Sequence, residues 1–67
     1  MTERLYHVGV LNKRTGERFR LEVWADTNEH ATSKLLNSLI GFDKPYAWTG
    51  TGPVEVDNHT VEREVTP

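Results

Sequence analysis

The stretch Leu5-Tyr6-His7-Val8-Gly9-Val10-Leu11-Asn12, followed by Lys13-Arg14-Thr15-Gly16 and then Glu17-Arg18-Phe19-Arg20-Leu21-Glu22-Val23-Trp24-Ala25, has the pattern of a β-hairpin. Tyr6, Val8 and Val10 alternate with polar or small residues, and Phe19, Leu21 and Val23 do the same. A period of two is the signature of strands with one buried face. Pairing Asn12 with Glu17 sets Val10 opposite Phe19, Val8 opposite Leu21 and Tyr6 opposite Val23. A slip of one residue would turn this apolar set to solvent, so the pattern itself specifies the register. Gly16 then falls at the end of the turn, where a positive φ is expected, as in a type I turn closed by a bulge. The opposite face carries His7, Gly9, Arg18, Arg20 and Glu22, with Leu5 and Trp24 at the far end.

After the hairpin, Asp26-Thr27-Asn28-Glu29 reads as a helix start. Asp26 or Thr27 can cap the first amides, and Asp-x-x-Glu imitates a capping box. From about Asn28, Ala31, Leu35, Leu36, Leu39 and Ile40 recur at the spacing of one helical face, which must cover the Tyr6-Val8-Val10 face. Gly41 and Pro45 supply the stop. Tyr46-Ala47-Trp48-Thr49 suits a third strand, whereas Gly50-Thr51-Gly52-Pro53 reads as a turn or bulge segment. Val54-Glu55-Val56 and Thr60-Val61-Glu62 alternate around Asp57-Asn58, which suits a small hairpin or one bent strand. The expectation is an α+β fold of ββαβ(β) order: a hairpin, one helix on one sheet face, then one or two further strands. Residues 1–67 read as one small domain, with 1–4 and about 62–67 expected to fray.

The composition narrows the chemistry. Cysteine is absent, which removes disulfides, thiolate catalysis and thiolate metal sites. No apolar run reaches the roughly 18 to 20 residues of a membrane span, and Met1-Thr2-Glu3-Arg4 does not open a signal peptide, so the expectation is a soluble, cytoplasmic protein without membrane contact. Lys and Arg number 8 against 10 Asp and Glu, a net charge of −2. The sign is uneven along the chain: residues 1–25 hold five basic and three acidic side chains, residues 26–67 three and seven.

Catalytic constellations are missing. His7, His30 and His59 fall on a strand, a helix start and a late loop, without metal-ligand spacing. Ser33, Ser38, Thr49 and Thr51 have no paired base, and Gly50-Thr51-Gly52 lacks the Lys-Ser/Thr and following helix of a phosphate-binding loop. The expectation is therefore no enzyme, no cofactor and no metal. Lys13, Arg14, Arg18 and Arg20 cluster on the hairpin, and two-stranded ribbons do enter nucleic-acid grooves. Glu17 and Glu22 dilute that cluster, and a stacking platform would interleave more aromatics. Trp24 is out of phase with Phe19, Leu21 and Val23, so it should project to the outer face, covered there by the terminal segment or by a partner.

The order Tyr6-x-Val8-x-Val10, Thr15-Gly16-Glu17, Phe19-x-Leu21-x-Val23-x-Ala25-Asp26-Thr27, a helix with Ala31 and then an aromatic strand resembles very small phage-encoded strand-strand-helix-strand proteins. That class includes inhibitors of host RNA polymerase and anti-CRISPR proteins. The resemblance spans residues 5–49 and implies a compact protein that occupies a surface of a larger host machine. The reading at this level is a non-enzymatic protein-binding module, monomeric or homodimeric, whose partner surface centres on Arg18, Arg20 and Trp24 with Lys13 and Arg14 alongside. The alternative is nucleic-acid binding through Lys13, Arg14, Arg18 and Arg20.

Overall fold

In the computed structural model, which describes residues 1–39 and 44–66, strand β1 (Thr2–Asn12) runs the whole length of the sheet. Strand β2 (Arg18–Ala25) pairs with it antiparallel, with Val10 opposite Phe19, Val8 opposite Leu21 and Tyr6 opposite Val23, the register that the apolar pattern requires. The turn is closed by two backbone bonds: the Gly16 amide donates to the Asn12 carbonyl at 2.7 Å and the Asn12 amide to the Glu17 carbonyl at 2.8 Å. The Asn12 side-chain oxygen also accepts the Arg14 amide at 3.0 Å, which preorganises the bend. Gly16 has φ of 77°, a left-handed conformation that a β-branched residue resists. Gly16→Val is therefore expected to destabilise by about 1–2 kcal/mol or more. Denaturant unfolding of Gly16→Val beside Glu17→Val checks this, and equal midpoints would show that the turn tolerates the substitution.

Helix α1 (Asn28–Leu39) begins one residue after its cap. The Thr27 hydroxyl accepts the His30 amide at 3.1 Å, so Thr27 is the N-cap. Asp26 does not close a capping box with Glu29. Its carboxylate instead meets the His30 ring Nδ1 at 2.6 Å, and that hydrogen bond holds the Asp26 carboxyl below its ordinary range. Ala31 is fully buried and Leu35 packs on the core formed by Tyr6, Val8 and Ala25, with Val23 beside it. Ile40, Gly41 and the side chain of Leu39 lie outside the described residues, so the expected glycine stop does as well. Between helix and sheet, the Thr32 and Thr51 hydroxyls bond at 2.6 Å.

The region after the helix holds more strand than its glycines suggest. Strand β3 (Tyr46–Pro53) pairs with β1 along its full length, and the expected turn Gly50-Thr51-Gly52-Pro53 is part of that ladder. The irregularity survives as a bulge: Gly9 faces Gly50 while Val10 faces Trp48, leaving Thr49 as the extra residue. Tyr46 and Phe19 meet edge to face at 5.8 Å on the helix side of the sheet. The chain then leaves the sheet at Val54 for a two-stranded hairpin, β4 (Glu55–Val56) and β5 (His59–Thr60). Asp57 and Asn58 turn it with φ of 52° and 66°, as a two-residue turn of that handedness requires.

The carboxyl-terminal segment departs most from expectation. Residues 62–67 read as a fraying tail, yet β6 (Glu62–Glu64) pairs with the first residues of β1, Thr2 opposite Glu64 and Arg4 opposite Glu62. Leu5 joins the two halves of this edge, since its carbonyl accepts the Val54 amide and its amide donates to the Val61 carbonyl, both at 2.9 Å. Strands β3 and β6 thus form one interrupted partner of β1, with the β4–β5 hairpin inserted between them. The sheet order is β2-β1-β3, with β6 beside β1 on the β3 side, and the far edge of β2 carries no strand among the described residues. No helix among the described residues is long and apolar enough to cross a membrane.

Candidate functional site

The core side of the sheet is spent on packing, so any recognition surface on the sheet falls on the outer face. Alternation along β1 and β2 places Glu3, Leu5, His7, Gly9 and Leu11 there, together with Arg18, Arg20, Glu22 and Trp24. Leu5, His7, Leu11 and Trp24 are half-buried, whereas Arg18 and Arg20 are exposed. The candidate residues divide into two groups at opposite ends of this face.

Arg18 and Arg20 come together at the turn end. They lie two residues apart on the edge strand, opposite Leu11 and Gly9. With Gly9, Phe19 and Thr49 they line a shallow recess of about 250 Å³. Lys13 and Arg14 stand exposed on the turn next to it, and the Lys13 amide is tied to the Pro45 carbonyl at 2.7 Å. Among the described residues, none of these four cations forms an ion pair with an acidic group.

The other cations are all engaged. Arg4 faces Glu62 at 3.4 Å. Lys44 bonds the Ser38 carbonyl. Arg63 donates through Nε and Nη2 to one oxygen of Glu3 at 3.1 and 2.9 Å, and Lys34 approaches the other oxygen at 3.8 Å. Trp24 belongs to this second group and not to the recess. Arg63 lies over its ring, 4.5 Å from the centroid, and Lys34 holds its carbonyl at 2.7 Å. The terminal strand therefore supplies a cover for Trp24, the first of the two alternatives that its out-of-phase position left open.

Two residues of the recess escape a reading of the sequence alone. Gly9 sits inside a strand, which weakens it unless a close approach needs the space. A Cβ at position 9 would collide with the Thr49 hydroxyl oxygen, so the missing side chain lets that hydroxyl lean across the bulge. The signal was present in Gly9 and in the glycine-rich run after Trp48, but it becomes specific only once the two strands are paired. Among the described residues no three His, Asp or Glu side chains gather as metal ligands. Set against protein-family models, curated proteins and solved structures, the chain matches none of them.

Proposed function

We propose that this chain is a non-enzymatic binding module that docks onto an acidic surface of a larger protein through the turn end of its outer sheet face. Arg18 and Arg20 form the centre of the contact, and Lys13 and Arg14 its rim. The observation that carries this reading is the sorting of charge: the cations of the turn end have no acidic partner among the described residues, whereas Arg4, Arg63 and Lys34 are paired at the other end. Arginine forks suit carboxylates in pairs of parallel hydrogen bonds, and arginine is prominent among the residues that dominate interfaces. The resemblance to small phage-encoded inhibitors points the same way, toward occupation of a surface on a host assembly. Nucleic acid is the weaker reading, because Trp24 lies under Arg63 and does not offer a bare ring for base stacking beside the recess.

The test is affinity capture from a lysate of the source cell at low and high salt, with and without nuclease, comparing the wild type with Arg18→Glu/Arg20→Glu. The expected result is nuclease-resistant capture of a defined protein by the wild type, weakened by salt and lost in the double variant, whose melting curve stays in place. Capture that vanishes with nuclease would favour the nucleic-acid reading. Undiminished capture by the double variant would remove the site from this face.

A further inference from the structure

Two departures from regular sheet meet in the recess. Gly9 interrupts the side chains of β1, and Thr49 is the extra residue of the β3 bulge directly across from it. Each weakens a ladder, and bulges are concentrated beside functional sites, where they re-aim a side chain. The recess is separate from the core, whose buried residues Tyr6, Val8, Val10, Ala25 and Ala31 take no part in its lining. Together they bring a hydroxyl group into the same opening as two arginines that have no acidic partner among the described residues.

The donor set indicates the ligand. A single arginine fork balances the one charge of a carboxylate and bonds both its oxygens, which leaves the charge of the second arginine unmatched. Two guanidinium groups and a hydroxyl match a phosphate monoester, with about −1.5 to −2 charge and three acceptor oxygens. The opening, about 250 Å³, lies below the range of roughly 300–1,000 Å³ usual for pockets that enclose a whole small molecule. It suits one anionic group on a larger carrier. We infer that the Gly9–Thr49 recess binds a phosphomonoester dianion, which, resting on the docking face proposed above, is a phosphorylated side chain of the partner protein.

The experiment is a titration of the isotope-labelled full chain, followed by amide chemical shifts, with inorganic phosphate, O-phosphoserine, dimethyl phosphate and sodium chloride at matched ionic strength. Inorganic phosphate and O-phosphoserine are expected to produce saturable shifts at Gly9, Arg18, Arg20 and Thr49. The monoanionic diester and chloride are expected to produce none. Arg20→Gln should weaken phosphate binding roughly tenfold, as loss of charge-assisted bonds does. Thr49→Val and Gly9→Ala should both weaken it several-fold, and Thr49→Val keeps the test valid if Gly9→Ala disturbs the sheet. Equal shifts with chloride, or equal binding of dimethyl phosphate, would overturn the inference. Saturation by inorganic phosphate without any by O-phosphoserine would overturn the assignment to an esterified side chain. No partner is present in this titration, so its failure leaves the captured acidic protein standing, and a failed capture leaves a phosphate-binding recess standing.

Discussion

Tyr6→Ala is expected to remove about 3–5 kcal/mol of stability, the range for truncating a large aromatic in a core. Tyr6 is 5 % exposed and packs with Val8, Ala25 and Ala31 at the place where helix meets sheet. At the usual ~0.05–0.15 kcal/mol per residue, a chain of 67 residues has a total stability of roughly 3–10 kcal/mol. The loss is therefore at least about a third of the total, and a large fall in the unfolding midpoint is expected. Urea unfolding followed by far-ultraviolet circular dichroism measures it. Tyr6→Phe is the control, since it keeps the ring and should shift the midpoint only slightly. A Tyr6→Ala midpoint close to the wild type would mean that the helix does not depend on this ring and that the core lies elsewhere.

Trp24→Ala is expected to act through the fold first. Trp24 is half-buried, so its truncation should cost roughly half of a core tryptophan, about 2 kcal/mol, with a further ~0.5–1 kcal/mol from the lost stacking of Arg63. For a domain of this size that corresponds to a fall in melting temperature of roughly 10 °C or more. The loss should be shared with Arg63→Ala, because the Arg63 guanidinium also bonds Glu3, and a double-mutant cycle between positions 24 and 63 should show coupling. An unchanged melting curve for Trp24→Ala, combined with weakened partner capture, would instead place Trp24 at the interface and extend the docking face along the whole hairpin.

The part of the structure governed by short-range regularity is legible in one dimension. Alternation in Tyr6-Val8-Val10 and Phe19-Leu21-Val23 left a single register that buries both sets, because a slip of one residue reverses every side chain. A cap at Asp26 or Thr27 ahead of Asn28, and Gly16 at the end of the turn, act within three or four residues through backbone amides and φ, so both were legible from their neighbours, while the choice of Thr27 came with the folded structure, where Asp26 is taken by His30. What depends on groups far apart in the chain emerges only on folding. Glu62–Glu64 has no apolar alternation to announce a strand; it is held by backbone hydrogen bonds to Thr2–Arg4, which carry no sequence signature, and by the pair of Arg63 with Glu3, 60 residues away. That pairing in turn placed Arg63 on Trp24 and separated the tryptophan from Arg18 and Arg20. The recess followed the same logic, since Gly9 and Thr49 stand 40 residues apart and meet only when a bulge on one strand faces a missing side chain on the next. Local periodicity encodes which face of an element is apolar, whereas the partner of a polar edge is chosen by three-dimensional proximity and by the need to satisfy backbone donors and acceptors.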